Sequence, residues 1–136
     1  MTPTLESSLW DYIRKNMRGR WHVERLENNP SHGIPDVLYA IGHTGVMELK
    51  VVGGWPIRPA TPVRINHFTP QQKGFMKLHH RFGGKVFLLL RVGREHLLFD
   101  AETALQLGEK PKQWMIDNAV RYWEKNIDFL ELARSI

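Results

Sequence analysis

Val86-Phe87-Leu88-Leu89-Leu90 runs between Lys85 and Arg91 without one polar side chain. A strand with one wet face alternates apolar and polar residues, whereas a continuous apolar run is covered on both faces. Gly83-Gly84 stand just before it and close a helix-like segment. Lys85–Val92 is therefore expected to be a central strand with a layer on either side. That requirement sets the expected class: α/β, a mixed central β-sheet flanked by helices. The 136 residues suit one domain, 1–136, large enough to fold without staples.

The other elements follow from local signals. Thr2-Pro3 is an N-cap with proline at the first helical position, and Leu5, Leu9, Tyr12, Ile13 and Met17 recur at helical spacing up to Gly19. Trp21, Val23 and Leu26 alternate as in a half-buried strand, and Asn28–Gly33 is a turn cluster. Val37–Ile41 and Val46–Val52 flank the turn Gly42-His43-Thr44-Gly45, so 37–52 is expected to form a β-hairpin. Gly53–His67, with three prolines and two glycines, is a long irregular loop, a kind of segment that is often functional.

Thr69-Pro70-Gln71-Gln72 then opens a helix with a capping box. Phe75, Leu78 and Phe82 are assigned to its apolar face, and Arg94–Asp100 pairs with Lys85–Val92 through Gly93. Pro111 is expected to start one longer helix with Ile116, Val120, Trp123, Ile127 and Leu130 along one face. The expected order is α-β-β-β-α-β-β-α, with a core at about 5–92 and a C-terminal helical extension at about 101–136.

Composition narrows the function classes. There is no cysteine, which removes disulfide frameworks and thiolate metal sites. Val86–Leu90 is far too short to span a bilayer. The start Met1-Thr2-Pro3, with Glu6 and Asp11 close behind, is unlike a signal peptide, so a cytoplasmic location is expected, in a bacterium or a phage-infected cell. Lys and Arg outnumber Asp and Glu by 19 to 14, a formal net charge of +5 that is compatible with a nucleic-acid partner.

The chemistry concentrates in Gly33-Ile34-Pro35-Asp36 and Glu48-Leu49-Lys50. Glu48 and Lys50 lie two apart on a strand and share a face, expected to be free for chemistry, while Met47, Leu49 and Val51 point into the core. Pro35 fixes the entry to the preceding strand, and a tight hairpin brings Asp36 toward the level of Lys50. A hard cation such as Mg²⁺ takes one or two carboxylates and completes its shell with water and substrate phosphate. Asp36 and Glu48 supply that minimum, and Lys50 would orient a nucleophile or stabilise charge on phosphorus. The bare spacing occurs by chance in many chains; the Gly-x-Pro-Asp turn and the strand–turn–strand context give it weight.

At these residues the chain resembles the PD-(D/E)XK nuclease superfamily, and within it the VRR-NUC domains and small Holliday-junction resolvases. Three ordered segments carry the likeness: Ser31–Asp36, Val46–Lys50, and Phe68-Thr69-Pro70-Gln71-Gln72-Lys73 with its glycine-ended helix and Lys85-Val86. The resemblance implies a restriction-endonuclease-like core (α-β-β-β-α-β) and an Mg²⁺- or Mn²⁺-dependent endonuclease acting on branched DNA, as a homodimer. It implies that Asp36, Glu48 and the Leu49 carbonyl bind the metal and that Lys50 is catalytic. Glu6 is the candidate for a further acid from the first helix, against a plain role favouring the helix dipole. Gln72 is placed near the site, against a plain capping role. A less selective nickase or defence nuclease is the neighbouring alternative, and a non-cutting DNA-binding derivative the more distant one.

Lys73, Lys77, His80 and Arg81 share a helical stripe, and Arg58, Arg64 and His67 lie in the long loop. Arg58, Arg64, His67, Lys73 and Lys77 are the candidate DNA-phosphate contacts, the loop residues ahead of the helical ones; the plain alternative is a solvated surface. His32 and His79-His80 invite a zinc site. Without cysteines, and with adjacent helical histidines diverging by about 100°, none is expected. Trp114 and Trp123, assigned to the last helix, are expected as core or dimer contacts.

Overall fold

The computed structural model describes residues 5–26 and 33–136. The Thr2-Pro3 cap and the Asn28–His32 part of the turn cluster, with Ser31 and His32 of the first motif segment, lie outside the described residues. Helix α1 (Leu5–Met17) is followed by strands β1 (His22–Arg25), β2 (Val37–Ala40) and β3 (Thr44–Val52), helix α2 (Pro70–Arg81), and strands β4 (Val86–Val92) and β5 (Glu95–Asp100). Short helices α3 (Ala101–Ala104) and α4 (Lys112–Asn118), strand β6 (Arg121–Trp123) and helix α5 (Phe129–Ser135) complete the chain.

The six strands form one sheet in sequence order. Every pairing is antiparallel except β3 with β4, which are joined by the crossover that carries the long loop and α2. β4 is central and covered on both faces, as its unbroken apolar run requires. Leu89 points into a core with Leu9, Ile13 and Met17 of α1 and Met47 and Leu49 of β3. Val86, Leu88, Leu90 and Val92 point into a second core with Val63, Phe68 and Met76. Leu88, Leu89 and Leu90 are wholly buried, and each such side chain contributes about 1.5–3 kcal/mol through removal from water. The expected class, a mixed sheet flanked by helices in a restriction-endonuclease-like arrangement, is the one found.

Two expectations about elements fail. First, α2 does not bury Leu78 and Phe82, which are 57% and 79% exposed; its buried residue is Met76, with Phe75 half-buried. The helix is rotated from the expected stripe because its first turn is fixed elsewhere. Gly33, at φ 69°, packs so closely on the backbone of Gln71 that a Cβ there would lie 2.2 Å from the Gln71 carbonyl oxygen. Met76 stands one turn beyond Gln72 and shares its inward face.

Second, the single C-terminal helix does not exist. Pro111 caps the short α4, β6 adds to the sheet, and Asp128 starts α5 by accepting from the amides of Leu130 and Glu131. The expected apolar face is split: Trp123 and Ile127 enter the α1 core, Ile116 packs beside the α2 core, and Val120 and Leu130 are exposed. Trp114 belongs to α4, half-buried, and Trp123 to β6. Without β6, the outer edge of β5 would present unpaired backbone groups. Val120 donates to the Leu98 carbonyl at 2.7 Å and begins to cover that edge.

Candidate active site

The antiparallel register of β2 on β3 pairs Val37 with Met47. One residue earlier, Asp36 therefore lies at the level of Glu48, not of Lys50. Its Oδ2 accepts from the Leu49 amide at 2.9 Å, which fixes the carboxylate against β3. Parity places Glu48 and Lys50 on one face of β3, as expected, but that face is not open. Glu48 and Lys50 are 1% and 2% exposed, at the end of the core that α2 covers.

These side chains open onto a cavity of about 540 Å³. Glu6 enters it from α1, Arg25 and Leu26 from the end of β1, and Ile34 and Asp36 from the approach to β2. Glu48 and Lys50 form its floor on β3, and His67, Thr69 and Gln72 close it from the α2 side. Residues separated by most of the length from 6 to 72 thus converge because the β1–β2–β3 meander and the crossover end at one place.

Lys50 Nζ is held on several sides. It lies 3.2 Å from Glu48 Oε1, donates to the His67 carbonyl at 2.9 Å, and is 4.0 Å from Glu6 Oε1. The Phe68 ring stands 5.8 Å away. Burial, with the neighbouring Asp36 adding to it and Lys50 opposing, pushes the Glu48 carboxyl up to about 9. Two carboxyl groups within hydrogen-bonding reach of each other, one of them buried, favour either a shared proton or a cation between them.

The donors are all oxygens, which suits a hard divalent ion and not a soft one. Among the described residues no cluster of three or more His, Asp or Glu side chains forms a ready-made cage. Mg²⁺ does not require one, since it keeps several waters and binds through one or two carboxylates. Asp36 and Glu48 fit that demand. Glu6 lines the cavity but approaches the Lys50 ammonium. Leu49 is tied to the site through its amide.

The capping box of α2 is present, and it does not exhaust Gln72. Thr69 Oγ1 accepts from the Gln72 amide at 3.1 Å, and Gln72 Oε1 accepts from the Thr69 amide at 3.0 Å. The Gln72 NH₂ group makes neither of these bonds and no hydrogen bond among the described residues, and the residue lines the cavity. Arg64 and His67 line a neighbouring groove of about 610 Å³ that meets the cavity at His67. Lys73 stands over the Phe68 ring at 5.2 Å, whereas Arg58 and Lys77 are exposed and line neither space.

Sequence reasoning passed over Arg25, Leu26 and the His67 carbonyl. The first two reach Asp36 because β1 pairs with β2, Leu26 donating to the Asp36 carbonyl at 2.7 Å. A firmer reading of Trp21–Leu26 as the strand preceding Asp36 would have found them. The carbonyl left no signal, because a backbone acceptor belongs to no residue type.

No protein-family model matches the chain, and no curated protein matches its sequence. A solved structure does resemble it: Archaeoglobus fulgidus Hjc, a Holliday junction resolvase from an archaeal hyperthermophile. The match covers 94% of this chain and 93% of that one, with a TM-score of 0.57 at 14% sequence identity. At that identity the likeness is one of fold. Among the described residues no helix is long and apolar enough to cross a membrane.

Proposed function

We propose that this chain is a divalent-metal-dependent endonuclease that hydrolyses DNA phosphodiesters, selective for branched DNA such as four-way junctions and active as a homodimer. The observation that carries the reading is the meeting of Asp36, Glu48 and Lys50 in one cavity, with Glu6 and Gln72 on its walls. The fold shared with a Holliday junction resolvase gives the branched substrate a counterpart, and symmetric cutting of a four-way junction needs two sites, hence the dimer. The VRR-NUC side of the resemblance rests on the Thr69–Lys73 helix start and the glycine at the end of that helix.

Asp36 and Glu48, with the Leu49 carbonyl, would hold Mg²⁺ or Mn²⁺. When bound, that ion polarises the phosphoryl oxygen and lowers the pKa of a coordinated water. The protein's own part is positional. The Leu49 amide keeps Asp36 in place, and burial keeps bulk water away from Glu48.

Lys50 has three N–H donors. One points to the His67 carbonyl and one to Glu48, and Glu6 at 4.0 Å is beyond hydrogen-bonding distance. The third is free to donate to the attacking water or to the non-bridging oxygen on which charge builds. The N-terminal end of α2 at Thr69 adds a positive dipole end to a cavity meant for an anion. Arg64, His67 and Lys73 extend the basic surface beyond the scissile phosphate, and Gln72 supplies a neutral donor.

The test uses labelled four-way junction, duplex and single strand, each with Mg²⁺ or EDTA, beside Asp36→Ala and Lys50→Ala. Paired nicks confined to the junction, dependent on metal and lost in both variants, are expected. Cleavage that persists in both variants would overturn the site. Metal-dependent cutting of all three substrates would mark a less selective nickase or defence nuclease, and binding without cutting a non-catalytic module.

A further inference from the structure

On the opposite face of the sheet a second cationic site is built around Arg91. In the parallel register Arg91 pairs with Val51, the neighbour of Lys50, but its side chain lies on the α1 side. The guanidinium carbon stands 5.2 Å over the Tyr12 ring, and Nε donates to His96 Nε2 at 2.9 Å. His96 is 3% exposed and stacks on the same tyrosine at 5.4 Å. Its Nδ1 donates to the Lys125 carbonyl at 2.6 Å. That bond leaves Nε2 as the acceptor that Arg91 needs and keeps the ring neutral. The Tyr12 hydroxyl accepts from the Ile127 amide at 2.8 Å, so the platform is anchored too.

The result is an arginine with its Nε and plane fixed and its Nη donors without a protein partner among the described residues. Half-buried arginines normally find a carboxylate. Here none is at hand: Arg91, Arg94 and Lys125 enter no ion pair among the described residues. All three line a cavity of about 360 Å³ whose wall holds no Asp or Glu and which Gly93 and Asn126 complete. Burial already lowers the pKa of Arg91, so a bound anion would relieve an uncompensated charge.

We infer that Arg91, Arg94 and Lys125 form a phosphate-binding site separate from the cleavage cavity, with the Lys125 carbonyl–His96–Arg91 chain holding the guanidinium fork in place. A planar fork with free Nη groups matches two oxygens of one phosphate, while Arg94 and Lys125 supply charge at the mouth. The phosphate belongs to a nucleic-acid backbone or to a free phosphate compound. Neither source requires the cleavage reading to hold.

The experiment is a metal-free NMR titration of the whole chain, following the Arg91 Nε–H, the Gly93 and Asn126 amides and the His96 ring. The probes are inorganic phosphate and a short DNA duplex, with sodium chloride at matched ionic strength as control. Saturable shifts of this set by phosphate, weakened about two- to fivefold in Arg94→Gln or Lys125→Gln, are expected. Arg91→Lys keeps the charge but loses the fork, and binding should fall further than in either. If the duplex moves the same resonances at lower concentration, the phosphate is that of a nucleic acid. If only inorganic phosphate moves them, it is a free phosphate compound. Equal shifts from chloride, or none from either probe, would overturn the site. Because no metal is present and no strand is cut, failure here is separate from failure of the nuclease reading.

Discussion

His67 is the one described residue other than glycine with a positive φ, 62°. For an L-residue that region costs about 1–2 kcal/mol, and such strain persists where the surroundings over-determine the backbone. The over-determining contact is the carbonyl that accepts from Lys50. The chain bends into an unfavourable conformation here and, in doing so, aims an acceptor at the buried ammonium. Glycine adopts this conformation freely and valine does not. His67→Gly is therefore expected to keep kcat for junction cleavage within about twofold, with KM rising if the imidazole touches the nucleic acid. His67→Val should lose about 1–2 kcal/mol of stability and most of kcat. Thermal melts and steady-state kinetics separate the two, and equal kcat in both variants would show that the carbonyl does not position Lys50. At this scale the sequence made Asp36, Glu48 and Lys50 legible because their side chains carry the chemistry and strand parity groups them. The burial of Glu48 and Lys50 was not legible, since it depends on the helix that comes to lie over that face.

The start of α2 ties secondary structure to the site. Thr69, Pro70 and Gln72 are a capping box recognisable in the bare sequence, and the box formed as read. The face of the same helix was misread because Phe75, Leu78 and Phe82 and the alternative Gln72, Met76 and His79 both recur at helical spacing. Only the close packing of Gly33 on Gln71 decides between them. Likewise Asp128, with Glu131 three residues later, carries a helix-start signal inside a stretch that apolar spacing alone reads as one continuous helix. Gln72 holds the cap through Oε1 and faces the cavity, so the two roles can be separated by substitution. Gln72→Glu keeps the acceptor, adds a charge that suits a helix N-terminus, and removes the NH₂ donor. Its melting temperature should equal or exceed that of the wild type, while cleavage falls about tenfold, as expected when one hydrogen bond of roughly 1.5 kcal/mol is lost from the transition state. Gln72→Ala should lose about 1 kcal/mol of stability as well. Cleavage that simply tracks melting temperature across the two would reduce Gln72 to a cap.

For the whole molecule, two buried titrating groups act on stability in opposite directions. Glu48 has a folded pKa of about 9 against 4.5 for the free side chain. The folded state holds this proton and the unfolded state releases it, so the contribution is complete below 4.5 and is lost as pH rises toward 9. His96 is lowered from 6.5 by burial, with the Lys125 carbonyl opposing and Arg91 adding to the shift. Its contribution is complete above 6.5 and is lost as pH falls below it. The metal-free protein should therefore be most stable between about pH 4.5 and 6.5, with an alkaline limb set by Glu48 at no more than about 1.4 kcal/mol per pH unit. Glu48→Gln keeps an oxygen acceptor for Lys50 and cannot ionise. It should flatten that limb, raising stability at pH 8 by about 1–3 kcal/mol while abolishing cleavage. Mg²⁺ favours the ionised carboxylate, so it should raise the wild-type melting temperature more at pH 8 than at pH 6 and leave Glu48→Gln unmoved. Melts across pH 4.5–9, with and without Mg²⁺, test this. Superimposable alkaline limbs for wild type and variant would show that Glu48 is not the buried acid the cavity holds in readiness for a cation.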